Sequence, residues 1–266
     1  MSRKLVAALA CRAGGSRLYG KPLQNLDRDT TILDHILQAV SASPEIDAAV
    51  LGISEGWENL PFIDVAKQHG VAYIIGDQRD VLWRLIQCGR AAAATDVFRI
   101  TTECPFTSWE LLATAWQRHV DEDNDITVVD LLPEGMNFEI YSLAALETSH
   151  TEGSDAERSE YCSAFARRCP ERFRIGLVGV PEEWHRLDLR LTVDYPEDLI
   201  LCRGVFDALS DRGPRIPTKD ILAFVDSRAD LRNLVQDYVE PEALWTPVVD
   251  RNNAARPVES DEGEQP

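Results

Sequence analysis

The N-terminal stretch LVAALACRAGGSRLYGKPL, residues 5–23, decides the fold of this chain. It begins with an apolar run, residues 5–10, which predicts a short buried β-strand. A loop with three glycines follows directly. Its ten residues 12–21 include three cations, Arg12, Arg17 and Lys21. Glycine lets the backbone approach a ligand with its N–H groups turned inward, while Arg and Lys side chains bind phosphate oxygens. The stretch therefore predicts a strand followed by an anion-binding loop.

The spacing of this loop differs from two common nucleotide-binding motifs. Lys21 is followed by Pro22 and not by Ser or Thr, so the loop is not a Walker A motif. The glycines do not have the G-x-G-x-x-G spacing of dinucleotide-binding folds either. A basic, glycine-rich surface turn without a ligand remains the alternative interpretation.

Strand-like and helix-like patterns alternate on the C-terminal side of this loop. Strands are predicted at residues 5–10, 48–53, 71–75 and 96–100, and helices at residues 32–40, 62–66, 82–94 and 109–120. Such alternation predicts an α/β fold with a mostly parallel sheet and helices on both faces. Ligands of such sheets bind beyond the carboxyl ends of the strands, so the chemistry is expected in the loops that follow them.

The second half of the chain is less regular. Strands are predicted at residues 125–129, 138–141, 173–178 and 190–193, and helices at residues 159–168, 196–210 and 220–228. The turn Pro133-Glu134-Gly135 separates the first two of these strands. The last residues, 250–266, have no periodicity and several acidic side chains, and they predict a disordered acidic tail.

Composition and charge argue against several classes of protein. The 266 residues include 27 Lys and Arg against 45 Asp and Glu, which gives a net charge of −18 that repels nucleic acid. No run approaches the roughly 20 apolar residues of a membrane-spanning helix. The charged Arg12 and the glycines interrupt the first apolar run, which favours a strand over a secretory signal. Six cysteines without a C-x-x-C pair favour reduced thiols and a cytoplasmic protein, and five histidines without metal-ligand spacing argue against zinc.

Two carboxylates stand where predicted strands end. Glu103 follows the strand at residues 96–100, and Asp194 follows the one at residues 190–193. Two carboxylates that converge on one hard cation would suit magnesium-dependent nucleotidyl transfer. The structural alternatives are a surface acid for Glu103 and an N-cap for Asp194, because a helix is predicted from Pro196.

Four segments in a fixed order resemble the cytidylyltransferase family. They are ACRAGGSRLYGKPL (10–23), GDQRDVLWR (76–84), RITTECP (99–105) and LTVDYPEDL (191–199). That family contains CMP-sialate synthetases, CMP-Kdo synthetases and the spore-coat-polysaccharide type of sugar nucleotidyltransferase, and the last type is the most similar. The resemblance extends over about residues 5–209.

The resemblance implies a Rossmann-like nucleotide-diphospho-sugar transferase fold, dependence on Mg²⁺, and the conversion of CTP and a sugar acid to a CMP-sugar and pyrophosphate. It also implies one cytidylyltransferase-like domain over residues 1–249, with an acceptor-side or dimerisation insertion at about 125–190. A homodimer is a further expectation.

The resemblance also implies roles for individual residues. The cations expected to bind the triphosphate and to act in catalysis are Arg12, Arg17 and Lys21. Further nucleotide contacts are expected from Ala10, Gly14, Gly15, Ser16, Gly76, Asp80 and Arg84. Asp194 matches a metal-binding aspartate, whereas Glu103 stands where the family usually has aspartate. Acceptor contacts are expected from Glu139, Tyr141 and Glu160.

Two other classes of function remain open. A nucleotide-sugar-dependent glycosyltransferase would need Asp-x-Asp at a strand end, and the nearest such text, Asp121-Glu122-Asp123, precedes a predicted strand. A non-catalytic relative that acts as a binding subunit would keep the fold without the metal site, and the longer Glu103 side chain suggests that alternative.

Overall fold

One seven-stranded sheet forms the centre of the molecule in a computed structural model that describes residues 3–159 and 162–255. Its strands are Leu5–Cys11 (β1), Ala48–Ser54 (β2), Ala72–Gly76 (β3), Asp96–Thr101 (β4), Ile126–Val129 (β5), Phe138–Ser142 (β6) and Ile175–Leu177 (β7). Their order across the sheet is β3-β2-β1-β4-β6-β5-β7. Only β6 is antiparallel to its neighbours, so the predicted α/β fold with a mostly parallel sheet is confirmed.

Helices cover both faces of the sheet. The α-helices are Ile32–Ser41 (α1), Pro61–His69 (α2), Val81–Ala91 (α3), Leu112–Asp121 (α4), Leu143–Glu152 (α5), Ala164–Arg168 (α6), Pro196–Leu209 (α7), Thr218–Ser227 (α8), Ala229–Val235 (α9) and Thr246–Ala255 (α10). Leu5, Ala7 and Leu9 point into one hydrophobic core, and Val6 and Ala8 point into the other. The first strand is apolar throughout because both of its faces are buried.

Local capping fixes the start of the first helix. The Thr31 hydroxyl accepts a hydrogen bond from the Asp34 backbone N–H at 3.1 Å, and the Asp34 carboxylate accepts one from the Thr31 N–H at 3.0 Å. This reciprocal capping box satisfies two backbone donors at the start of α1.

Three predicted elements differ from the structure. Residues 190–193 do not form a strand; only Arg190 makes an isolated bridge, to Glu134. A helix is predicted at residues 159–168, but the observed helix α6 covers only Ala164–Arg168. Residues 160 and 161 lie outside the described part of the chain. The predicted tail at 250–266 is helical as far as Ala255, because α10 packs through the buried Val248 and Val249. Residues 256–266 lie outside the description.

The described residues include no helix with the length and apolar character needed to cross a membrane.

A buried histidine in α1 predicts a loss of stability in acid. His35 is 2% exposed and lies against the edges of Phe106 and Phe206, with ring centroids 5.9 and 5.1 Å away. Burial lowers the pKa of His35 from 6.5 to about 4. Between those values only the unfolded chain takes up the proton, so stability is lost as pH falls from 6.5 towards 4, by about 3 kcal/mol. Urea unfolding at pH 7 and pH 4.5 should show a smaller acid-induced loss in His35→Leu than in the unsubstituted protein. Equal losses in both would contradict this assignment.

Candidate active site

The first predicted loop and the loop after β4 meet because β1 and β4 are parallel neighbours. A cleft at their carboxyl ends is lined by Ala10, Arg12, Gly14, Lys21, Pro22, Val81, Arg84, Leu85, Arg99, Ile100, Thr101, Thr102 and Glu103. We call it the first cleft. It contains six of the residues predicted from the sequence: Ala10, Arg12, Gly14, Lys21, Arg84 and Glu103.

The glycine-rich loop folds back on itself after β1. The backbone N–H of Gly20 donates to the Ala13 carbonyl at 2.7 Å, and the Ala13 N–H donates to Asn59 Oδ1 at 2.7 Å. A Cβ atom on Gly15 would lie 2.3 Å from the Leu18 carbonyl oxygen, so the turn needs glycine there. Gly15 and Ser16 are exposed and do not line the first cleft. Their predicted contacts with a nucleotide stay predictions.

Lys21 and Asp194 form an ion pair at the edge of the first cleft. Lys21 Nζ lies 2.5 Å from Asp194 Oδ1, and the two side chains are 20% and 21% exposed. Asp194 Oδ2 lies 2.5 Å from a terminal nitrogen of Arg190. These two cations lower the pKa of Asp194 although its burial opposes them. Asp194 is therefore ionised, and both of its oxygens contact a cation.

Arg190 connects three carboxylates. Its guanidinium is 6% exposed and contacts Glu134 at 2.5 Å and Asp198 at 3.0 Å, in addition to Asp194. The buried Asp198 accepts the backbone N–H groups of Asp194 and Tyr195 at 2.8 and 2.9 Å. The residue that caps α7 is thus Asp198, and the N-cap role considered for Asp194 is not observed.

Glu103 is the half-buried carboxylate of the first cleft. Its backbone carbonyl accepts the Val193 N–H at 2.9 Å, which joins the end of β4 to the segment that carries Asp194. Burial raises the pKa of Glu103, and the nearby Asp194 raises it further while Lys21 opposes both. The structure gives Glu103 no ion pair within residues 3–159 and 162–255. Its carboxylate is therefore available to a ligand.

A magnesium ion would find a partial set of donors here. Glu103 and Asp194 supply the hard oxygen ligands that Mg²⁺ prefers. No group of three or more His, Cys, Asp or Glu side chains that could hold a metal occurs in the described part of the chain. This pair fits an ion that takes its other ligands from water and substrate phosphates.

Arg84 brings a buried positive charge to the first cleft. It is 1% exposed, and its Nη1 atom donates to the carbonyl oxygens of Cys11 at 3.1 Å and Gly52 at 2.7 Å. The Nε atom of Arg84 is buried without a hydrogen-bond partner, and burial lowers the pKa of the guanidinium. None of the described carboxylates forms an ion pair with Arg84. A bound phosphate would supply the missing negative charge.

Removal of this buried charge should abolish nucleotide-induced stabilisation. In the unsubstituted protein, CTP at 100 times its dissociation constant should add about 2.7 kcal/mol to the free energy of unfolding. We expect little or no increase in Arg84→Met, measured by urea unfolding with and without CTP. Arg90→Met is the control, because Arg90 lies in the same helix but pairs with Glu147 at the surface. An unchanged response of Arg84→Met to CTP would refute the role of Arg84.

Arg17 lies at the rim of the site. It is exposed, and its guanidinium carbon lies 4.9 Å from the centre of the Tyr195 ring. Tyr195 directly follows Asp194, so this cation–π contact holds Arg17 beside the acidic segment. Arg12, Lys21 and Glu103 line the first cleft, Asp194 pairs with Lys21, and Arg17 contacts Tyr195 without lining that cleft. Their roles in catalysis stay predictions.

Gly76 and Asp80 do not line the first cleft. A Cβ atom on Gly76 would lie 2.2 Å from the Trp83 ring, so glycine is required there by packing. The Asp80 carboxylate caps α3 by accepting the Trp83 N–H at 2.8 Å, and it lies 2.7 Å from His150 Nε2. Both residues thus have structural roles that explain them without a nucleotide.

A second cavity adjoins the first cleft and shares Arg99, Thr101 and Glu103 with it. Its volume is about 330 Å³. The other lining residues are Cys104, Val129, Asp130, Glu134, Gly135, Asn137, Phe138, Glu139, Ser163, Arg167, Thr192, Asp194, Leu244 and Trp245. We call it the second cavity.

The predicted acceptor residues have different surroundings. Glu139 lines the second cavity, but Arg99 and the Trp245 indole N–H occupy its two carboxylate oxygens at 2.7 and 2.9 Å. Tyr141 is 1% exposed in the hydrophobic core, and its hydroxyl has no hydrogen-bond partner. Tyr141 does not line this cavity and belongs instead to the hydrophobic core cluster that includes residues of α5 and α6. Glu160 lies outside the described residues.

Several residues of the site were not selected from the sequence. Arg99 lies within RITTECP, but the motif implies no role for it, and no sequence pattern marks Arg190, Arg167 or Trp245 as site residues. Arg190 directly precedes LTVDYPEDL, which is a weak signal of its position. Trp245 reaches the site only through the tertiary fold.

No family model matches the chain. The spore coat polysaccharide biosynthesis protein SpsF of Bacillus subtilis is 24% identical to it over 230 residues, which cover 84% of this chain and 94% of that protein. A cytidylyltransferase from Leptospira borgpetersenii has a similar structure, with a TM-score of 0.79 and 20% identity over 87% of this chain and 97% of that one.

A CMP:2-keto-3-deoxy-manno-octonic acid synthetase, solved with CTP, has a TM-score of 0.58 and 13% identity over 77% of this chain and 99% of that one. The chain has the Rossmann-like fold of these nucleotidyltransferases, and the resemblance to the cytidylyltransferases that its motifs predict is confirmed.

Proposed function

We propose that this protein transfers a cytidylyl group from CTP to a sugar acid, in a reaction that depends on Mg²⁺ and releases pyrophosphate. The observation that carries the proposal is the meeting of Arg12, Lys21 and Arg84 with Glu103 in one cleft, with Asp194 bound to Lys21. Cations for a triphosphate and carboxylates for a divalent ion thus lie side by side within a chain of net charge −18. A homodimer in the cytoplasm stays a prediction.

The acceptor would react from the second cavity. A hydroxyl oxygen of the sugar acid forms a bond to the α-phosphorus of CTP, the bond to pyrophosphate breaks, and the hydroxyl proton is lost. Arg12, Lys21 and Arg84 would hold the triphosphate and stabilise the negative charge that develops on the leaving group. Lys21 would exchange its contact with Asp194 for the phosphates.

Glu103 and Asp194 would hold Mg²⁺ between the first cleft and the second cavity, which both contain Glu103. Bound there, the ion would neutralise phosphate charge and lower the pKa of the attacking oxygen. Arg190 keeps the Asp194 carboxylate oriented by its hydrogen bond, whether or not Lys21 is present.

The segment Asp121-Glu122-Asp123, the nearest match to the Asp-x-Asp motif of a glycosyltransferase, does not lie at the first cleft. Glu122 pairs with Arg118 at 2.9 Å, and Asp123 sits in a turn with a positive φ of 49°. The turn precedes β5, which runs in the same direction as β4, so it lies at the end of the sheet opposite the first cleft. Asp121-Glu122-Asp123 is therefore the exposed end of α4 and the turn that follows it.

A screen of nucleotides against acceptors tests the proposal. Pyrophosphate release is measured with CTP, UTP, GTP or ATP, with and without Mg²⁺, in the presence of sugar acids, neutral sugars or no acceptor. We expect release that requires CTP, Mg²⁺ and a sugar acid together. CTP binding, measured by calorimetry, without release from any acceptor would indicate a binding subunit. Sugar transfer in a parallel assay that offers a nucleotide sugar in place of the triphosphate would indicate a glycosyltransferase.

A further inference from the structure

One cation of the second cavity has no anionic partner. Arg167, in α6, lines the cavity, and its Nε atom is buried without a hydrogen bond. Its neighbour Arg168 points to the surface and contacts Glu157 at 2.7 Å. By contrast, the structure gives Arg167 no ion pair with any residue that it describes. A guanidinium left without a partner in a cavity wall is a site for an anion.

The carboxylates around Arg167 have partners of their own. Glu139 is bound by Arg99 and Trp245, and Asp194 by Lys21 and Arg190. Glu134 also pairs with Arg190.

Asp130 is held by Trp245 and Thr246, where α10 begins. One of its oxygens accepts the Trp245 N–H, the Thr246 N–H and the Thr246 hydroxyl at 2.8 to 3.0 Å. Of the charged groups that line the second cavity, Glu103 and Arg167 are thus the two without a charged or hydrogen-bonded protein partner in the described residues. Glu103 belongs to the metal side of the site, which leaves Arg167 for the acceptor.

We propose that Arg167 binds the carboxylate of the acceptor and so determines the selection of an anionic substrate. This inference rests on the proposed function. Arg167 would form a bidentate ion pair, which fixes the orientation of the acceptor as well as its charge. The acceptor hydroxyl is then held towards Glu103, at the boundary with the first cleft.

Charge balance favours a carboxylate over a phosphate as the anchored group. A carboxylate carries a single negative charge that one guanidinium can neutralise. A phosphate monoester carries about −1.5 to −2 at pH 7. Its extra charge would face the carboxylates of Glu134, Glu139 and Asp194 in the same wall.

Binding and kinetics together test the role of Arg167. The probes are 2-keto-3-deoxy-manno-octonic acid, sialic acid, the methyl ester of each, and a sugar phosphate. Binding is measured by calorimetry on the full chain with a non-hydrolysable CTP analogue bound, so that it does not depend on turnover.

We expect at least one acid to bind more tightly than its ester. Arg167→Gln should weaken the binding of that acid about 100-fold without changing the binding of the ester. Where turnover occurs, the loss should appear in KM for the acid and not in KM for CTP.

Arg168→Gln is the matched control. It also removes an arginine side chain from α6, but Arg168 does not line the second cavity. Arg167→Lys should restore part of the binding, since it keeps the charge and loses the bidentate geometry. Equal binding of acid and ester to the unsubstituted protein, binding of neither acid, or preference for the sugar phosphate would overturn the proposal. Failure of the CTP analogue itself to bind would instead refute the proposed function.

Discussion

Substitution of Lys21 by Ala is expected to lower the rate of pyrophosphate release by a factor of about 10² to 10³. Lys21 lines the first cleft and lies 2.5 Å from Asp194, so its ammonium sits between the expected triphosphate and the expected metal. Without it, the charge on the departing pyrophosphate loses a positioned cation. The fold should survive, because Arg190 still neutralises Asp194. Steady-state rates with the acceptor identified by the screen, together with urea unfolding, check both expectations.

Two variants show whether charge or geometry matters at this position. Lys67→Ala removes an exposed lysine that pairs with Asp64 in its own helix, and it should have no effect. Lys21→Arg keeps the charge on a longer, planar group and should recover only part of the rate. Full activity in Lys21→Ala would contradict the assignment of the phosphate-binding loop.

Substitution of Glu103 by Gln is expected to lower activity by a factor of about 10² or more and at the same time to stabilise the nucleotide-free protein. Activity falls because a neutral amide is a weaker Mg²⁺ ligand than a carboxylate. Stability rises because the pKa of Glu103 is raised in the folded state, so its ionised form is less favourable there than in the unfolded chain. This penalty is present at pH 7 and disappears when the charge is removed. Mg²⁺-dependent rates and urea unfolding in EDTA measure the two effects.

Glu103→Asp separates the charge from the length of the side chain. Aspartate is the residue that the resemblance to cytidylyltransferases implies at this position, and we expect Glu103→Asp to retain Mg²⁺-dependent activity. A Glu103→Gln protein that unfolds more easily, or that keeps its full response to Mg²⁺, would contradict the role assigned to this carboxylate.

The α/β fold and the meeting of the phosphate loop with Glu103 could be predicted from the sequence, because both depend on local patterns. Apolar runs bounded by turns identify parallel strands, and the carboxyl ends of adjacent strands bring their loops together. Asp194 lies beside Lys21 at the edge of the first cleft, although residues 190–193 do not form the predicted strand. That segment is held instead by the hydrogen bonds from Leu191 to Glu134 and from Val193 to Glu103.

Other features depend on contacts between residues far apart in the chain. Asp80 lies within the segment GDQRDVLWR, whose resemblance implies nucleotide binding, but its partner His150 is 70 residues away. Trp245 closes the second cavity through Glu139, from which it is separated by 106 residues. No periodicity or spacing reveals such pairs, so the composition of the second cavity could not be predicted from the sequence.

The contacts of Arg190 have a consequence for the evolution of this protein. One guanidinium orients Asp194, neutralises Glu134 in the wall of the second cavity and compensates the buried Asp198 that caps α7. A mutation that reshapes the wall at Glu134 would therefore also displace a carboxylate of the reaction centre. Under the proposed function, Arg190 therefore links the residues that contact the acceptor to a carboxylate that takes part in the reaction.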